Sequence, residues 1–190
     1  GKASDNVILL GTSGDGVWQA QFSDGTLSFD KIKPINKVDA TLSKVSSIYV
    51  DSKHRAWIST NDNGIWCMDK MSETKSFSSI KLGIPKSVGT CFYPCGKDNL
   101  LLGTDGAGLT LLDANNNVLK RWTVNDGLPS NNVLDIEKYQ NGFILSFWGG
   151  NPVCLTLEDD KLTPIVTNKL STPSNTVKDI LKIKDGAYLL

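Results

Sequence analysis

The sequence predicts an all-β chain: a β-propeller segment of about four blade equivalents, four antiparallel strands per blade. Three observations carry that expectation. The first is a repeated hairpin phrase. Leu100–Leu112 reads Leu-Leu-Leu-Gly-Thr-Asp-Gly-Ala-Gly-Leu-Thr-Leu-Leu, two apolar runs around a glycine-rich turn. Leu9–Trp18 and Trp57–Trp66 repeat it, and Ile144–Val153 is a damaged copy. Thr12, Thr60 and Thr104 are spaced by 48 and 44, and Gly16, Gly64 and Gly108 share those intervals. The second is an earlier strand in each unit. Val45-x-x-Ile48, Val88-x-x-Cys91, Val133-x-x-Ile136 and Val177-x-x-Ile180 are spaced by 43, 45 and 44. A period near 44 with several strands per unit is a propeller signature. The third is that no segment sustains a 3.6-residue apolar period, so no long helix is expected.

The elements follow in order. Residues 1–41 form a partial blade, with strands near Val7–Thr12, Val17–Phe22 and Leu27–Lys33. Ser23-Asp24-Gly25 turns between the last two, glycine supplying positive φ. Residues 42–84 form the clearest blade, with strands Val45–Asp51, Ala56–Thr60, Gly64–Lys70 and Ser76–Lys81. Trp57 and Trp66 read as packing residues. Residues 85–127 and 128–170 form two more blades, and 171–190 begin another. Between blades, Asn125–Val133 ends one outer strand, plugs the gap with Leu128 and turns inward at Pro129-Ser130-Asn131. The fourth copy departs from the pattern. Ser146-Phe147-Trp148-Gly149 stands where Gly103-Thr104-Asp105-Gly106 stood, and Pro152 opens its third strand. The chain opens at a second-strand sequence and stops where another Gly-Thr is due. It therefore reads as part of a larger propeller.

Composition narrows the function classes. Of 190 residues, 39% are hydrophobic, which is ordinary for a folded chain. Lys plus Arg equals Asp plus Glu at 20 each, so there is no basic excess to attract nucleic acid or an anionic membrane. No stretch approaches the roughly 18 apolar residues of a spanning helix, so membrane attachment is expected only through other parts of a parent chain. The four cysteines are Cys67, Cys91, Cys95 and Cys154. Cys91 falls where other units carry isoleucine and reads as a small buried hydrophobe. A Cys91–Cys95 disulfide stays open, and no metal or redox spacing is present.

Catalytic chemistry is thin. His54, the one histidine, sits in a turn. No Gly-x-Ser-x-Gly elbow is present. Asn61-Asp62-Asn63-Gly64 and Ser13-Gly14-Asp15-Gly16 lack the alternating acids and distal Glu of a calcium loop, so no metal or other cofactor is expected. Gly103–Gly108 precedes a strand rather than a helix and is no phosphate loop. Asp105, Asp135 and Glu137 are the acids a propeller glycoside hydrolase would need, with Asp159-Asp160 reading as a turn. Strands alternate direction within a blade. The second-to-third loops and the blade connections therefore share one face, gathering Asp15, Asn61, Asp62, Asp105, Asn131, Trp148 and Asn175. Carboxylates and amides beside an aromatic suit a sugar. The expected ligand residues are Trp148, Asp105, Asn61, Asp62 and Asn131, with turn chemistry as the competing reading. Trp148 leads because it breaks its own repeat.

These motifs resemble the two-component regulator propeller repeat. Its Leu-Pro-Ser/Asn-Asn-x-Val-x-x-Ile phrase is matched by Leu128–Ile136. Its Leu-Trp-Ile-Gly-Thr phrase is matched by Trp57-Ile58-Ser59-Thr60 and Leu101-Leu102-Gly103-Thr104. Asn63-Gly64-Ile65 and Ala107-Gly108-Leu109 match its Gly-Gly-Leu strand less fully. The resemblance implies the periplasmic sensor region of an inner-membrane hybrid histidine kinase. Such a region detects glycan breakdown products and signals to transcription without catalysis of its own. The alternative is a structural or dimerisation module with no ligand. Exposed blade faces would make the chain self-associate.

Overall fold

The computed structural model describes residues 2–4, 6–32, 42–68, 78–80, 83, 88–96, 98–158, 161–164, 176–184 and 187–189. The chain is a propeller segment of four four-stranded antiparallel sheets and a final hairpin, in two compact units, Gly1–Gly89 and Thr90–Leu190.

The first unit holds two sheets. β1 (Lys2–Ser4), β2 (Val7–Gly11), β3 (Val17–Ser23) and β4 (Thr26–Ile32) form one. β5 (Val45–Val50), β6 (Ala56–Thr60), β7 (Gly64–Met68) and β8 (Ser78–Ile80) form the other. β1 has no counterpart in the sequence reading, because Lys2-Ala3-Ser4 carries no apolar alternation. Asp24 and Gly25, at φ 50° and 75°, make the expected tight turn. Leu9 and Val17 of the first sheet pack on Ala56, Ile58, Trp66 and Met68 of the second. Trp57 and Trp66 are buried, their indoles donating to the Asp51 carboxylate and the Asn63 carbonyl.

In the second unit, β9 (Val88–Cys95, crossing the boundary), β10 (Asn99–Asp105), β11 (Leu109–Leu112) and β12 (Val118–Trp122) form the third sheet. β13 (Val133–Tyr139), β14 (Gly142–Phe147), β15 (Gly150–Glu158) and β16 (Lys161–Pro164) form the fourth. β17 (Leu181–Lys184) and β18 (Ala187–Leu189) close the chain. Leu101, Leu109 and Leu111 pack on Phe143, Leu145 and Phe147, and Leu128 fills the seam as expected. Between β12 and Leu128, a single 3-10 turn at Val124–Asp126 replaces the plain strand ending. Thr123 and Asp126 cap it reciprocally, and left-handed Gly127 ends it.

The Gly-Thr phrase has a physical cause. The Thr12, Thr60 and Thr104 hydroxyls donate to the Gly16, Gly64 and Gly108 carbonyls at 2.9, 3.0 and 2.7 Å. Each also accepts an N–H from within the loop, from Asp15, Asn63 or Ala107. One side chain thus ties its hairpin loop on both sides. In the fourth sheet Phe147 pairs directly with Gly150, leaving only Trp148-Gly149 as the loop. That loop is a residue shorter, and the threonine has nothing left to tie.

The inner strands correct one alignment. Ser46 Oγ donates to the Gly89 carbonyl at 2.8 Å, and Thr90 Oγ1 donates to the Val133 carbonyl, both spanning 43 residues. Thr90 therefore occupies the place of Ser46. The equivalents of Ile48 are Phe92, Ile136 and Ile180, uniformly 44 apart. Cys91 aligns with Ser47, Asp135 and Asp179 rather than with isoleucine. Val88 had imitated the anchoring valine one residue early. Cys91 is buried all the same, and all four cysteines are free thiols. Burial, and secondarily the Asp135 charge, push the Cys91 thiol up to about 12, so it is inert as a nucleophile.

Candidate functional site

Each unit clasps its blade connection between hairpin loops, and the candidate residues sit in these clasps. In the first unit, Ser13 bridges to Lys44, Gly16 N donates to the Ser43 carbonyl, and Asn61 N donates to the Lys44 carbonyl at 2.8 Å. Asp62 accepts from the Ser43 hydroxyl at 3.1 Å and from the Asn63 amide at 3.2 Å. In the second unit, Asp105 bridges to Asn132, and Gly106 N and Gly108 N both donate to the Asn131 carbonyl. Trp148 N donates to the Asn132 carbonyl at 2.9 Å, and Gly149 N donates to Thr176 Oγ1. Trp148 is thus the structural counterpart of Asn61, and Asp105 that of Ser13. In each unit the second-to-third loops and the blade connection do meet.

The residues differ in what remains for a ligand. Asn131 is committed to structure, since its side-chain oxygen accepts Val124 N at 2.9 Å. Asp62 is held by its two local donors. Asn61 and Asp105 are exposed. Trp148 is 56% exposed, whereas Trp57 is 1% and Trp66 4%, so its ring is surface rather than core. Trp148, Asp105 and Asn131 belong to one clasp; Asn61 and Asp62 belong to that of the other unit. Asn175 and Asp159-Asp160 lie outside the described residues.

Two of the three acids considered for hydrolysis, Asp135 and Glu137, accept backbone hydrogen bonds. Glu137 accepts Lys138 N. Asp135 accepts Ile136 N at 2.8 Å and Ile180 N at 2.7 Å, bridging to the next inner strand. Its neighbour there is Asp179, which sequence reasoning did not single out, although the Val133 and Val177 spacing already puts the two at one repeat position 44 residues apart. Burial, with Asp179 beside it, pushes Asp135 up to about 6 against the pull of the two N–H donors. The proton is held more tightly in the folded chain, so this group favours folding below about pH 4. The contribution is lost as pH rises through about 6. Asp135→Asn keeps an acceptor for Ile180 N and removes the titration. Relative to the wild type, the urea midpoint of the variant is expected to rise between pH 4 and pH 7.

A cleft away from these clasps escaped the sequence reading. It measures about 800 Å³ and opens at the other end of the second unit's sheets, lined by Tyr93, Cys95, Asn99, Lys138, Asn141 and Phe143 among others. Tyr93 and Phe143 meet edge to face at 5.5 Å. Its lining comes from the strand ends around the first-to-second turns of both sheets, with Leu111 and Leu157 from the third strands, and these positions share no motif. Among the described residues no group of three or more His, Cys, Asp or Glu could hold a metal ion.

Sheet order, repeat and blade packing define a β-propeller segment, and solved structures share the fold. The chain is similar to the extracellular domain of BT3049 from B. thetaiotaomicron, assigned to a hybrid two-component system. That match has a TM-score of 0.72 and 20% identity over 95% of this chain and 23% of that one. The extracellular domain of BT4673 from the same organism, likewise assigned, gives 0.72 and 14% over 97% and 26%. The Dos1 propeller gives 0.60 and 13% over 93% and 46%. The chain thus spans about a quarter of the two extracellular domains. No family model matches it, and no curated protein matches it. Among the described residues no helix is long and apolar enough to cross a membrane.

Proposed function

We propose that this chain is a non-catalytic, ligand-sensing part of an extracytoplasmic two-component receptor, periplasmic and attached to a membrane histidine kinase. Its ligand is a glycan breakdown product whose binding is passed across the membrane to transcription. The observation that carries the reading is Trp148. It stands 56% exposed on a loop that lost the repeat's threonine, in one clasp with exposed Asp105. An indole face stacks on a sugar ring while a carboxylate accepts from its hydroxyls. The likeness to two extracellular domains assigned to hybrid two-component systems supports the placement.

Calorimetric titration with oligosaccharides tests it. Trp148→Ala is expected to weaken binding about tenfold or more. An exposed substitution of this kind should change stability by no more than about 0.5 kcal/mol, so lost binding would not be lost folding. Binding unaffected by Trp148→Ala would put the ligand elsewhere. Turnover of a chromogenic glycoside, abolished by a single Asp→Asn change, would overturn the non-catalytic reading.

A further inference from the structure

The cleft between the third and fourth sheets is built on their packed faces, and both of its walls lie within the second unit. On the third sheet, Tyr93 and Cys95 follow Cys91 along β9 in two-residue steps, and Asn99 stands two residues before Leu101 on β10. Cys91, Cys95 and Leu101 belong to the core shared with the fourth sheet, so this set of side chains faces that sheet. On the fourth sheet, Lys138 pairs with Phe143 and Ile136 with Leu145. Ile136, Phe143 and Leu145 are core residues, which puts Lys138 on the core side as well.

A lysine is not what the repeat puts there. In the second sheet Ile48 and Ile58 pair as Ile136 and Leu145 do, and the next pair along is Val50 with Ala56. Ala56 is buried in the first unit's core and Val50 packs against that core. Lys138 therefore stands where the repeat has an apolar residue closing the seam. The cleft opens beside it, and Lys138 stays exposed, so its charge escapes the cost of burial. That charge reaches the facing wall. Burial pushes the Cys95 thiol up, and Lys138 opposes the push.

Leu111, Phe143 and Leu157 give the cleft an apolar floor, and Tyr93, Asn99 and Asn141 give it polar edges. Among the described lining residues Lys138 carries the one charge, and no carboxylate is present. An ammonium in such a place selects an anion. The two amides donate to and accept from hydroxyls. The Tyr93 ring, held edge to face by Phe143 at 5.5 Å, is a wall for a ligand ring. The volume of about 800 Å³ is that of a small-molecule site. We propose that this cleft binds a hydroxylated ring compound bearing a carboxylate, with the carboxylate on Lys138 and the ring against Tyr93. An acidic sugar and an aromatic hydroxy acid share that chemistry. The site does not rest on the Trp148 clasp. Trp148 lies five residues beyond Phe143, past the far end of β14 and roughly 17 Å away along the strand.

Calorimetric titration of the 190-residue chain tests this, with digalacturonate and para-hydroxybenzoate as probes and galactobiose as the uncharged counterpart of the first. Probe at up to ~10 mM detects a dissociation constant of roughly 1 mM or tighter. At least one carboxylate is expected to bind, with galactobiose about tenfold weaker or silent. Binding of digalacturonate alone would identify the sugar acid as the source, and binding of para-hydroxybenzoate alone the aromatic acid; either supports the site. Lys138→Gln is expected to weaken binding about tenfold or more, and Lys138→Arg to retain it. Lys138 is exposed, so near-ultraviolet circular dichroism should report an unchanged fold in both variants. No binding of either carboxylate, equal binding of galactobiose, or indifference to Lys138→Gln would overturn the proposal. Binding that falls in Trp148→Ala but not in Lys138→Gln would place the probe in the clasp, overturning the cleft site while supporting the other.

Discussion

Gly108→Ala is expected to cost about 3 kcal/mol or more of stability in the second unit. Two separate effects add. Gly108 has a φ of 78°, where any residue with a Cβ is strained. A Cβ there would also lie 2.0 Å from the Trp122 carbonyl oxygen, a backbone atom of the paired strand that no rotamer change can move aside. Relief would require prising β11 from β12. Gly149→Ala is the control. Its φ is 74°, but a Cβ meets nothing within 4 Å, so only the conformational cost of about 1–2 kcal/mol remains. Urea midpoints of both variants measure the difference. Equal costs would mean that the close approach at Trp122 contributes nothing.

Restoring the repeat at the fourth hairpin should damage it. Phe147→Thr reinstates the residue found at 12, 60 and 104, yet it is expected to destabilise the second unit by about 3–5 kcal/mol. Phe147 is fully buried, in a cluster with Leu128, Val133 and Leu145. The smaller side chain leaves a cavity there. The hydroxyl has no loop to tie, since only Trp148-Gly149 separates Phe147 from its partner Gly150. Thermal or urea denaturation reads the loss. A neutral or stabilising result would show that the threonine tie works in a two-residue loop and that Phe147 packing is dispensable.

The hairpins were legible because their signals are local and obligatory. Threonine must reach the glycine carbonyl, and Gly108 must have no Cβ. Trp148 was legible as an exception to its repeat, and its exposure agrees with a residue not placed for packing. What failed had no local signal. β1 is three residues long without alternation. In the third inner strand, Val88, Cys91 and Phe92 are all apolar, so composition does not choose the frame. Only the cross-blade bond from Thr90 to Val133 does. That one-residue error hid only that Cys91 shares the position of Asp135 and Asp179; the two carboxylates were already in register, each two residues after its anchoring valine, but sequence spacing does not show that they face each other. The grouping of candidate ligand residues was legible within each unit, from strand direction alone. Their free capacity was not. Asn131 is a good hydrogen-bonding residue on paper, but its oxygens are spent on Val124, Gly106 and Gly108.

The most direct test of the sensing account is a thermal-shift screen of the chain against plant and host oligosaccharides, with Trp148→Ala run beside the wild type. A ligand at about 100 times its dissociation constant adds about 2.7 kcal/mol to the folded state, a readily measured rise in melting temperature. The account predicts a reproducible shift with at least one glycan that shrinks in the Trp148→Ala chain. No shift with any oligosaccharide, or one of equal size in both chains, would contradict a glycan site at Trp148.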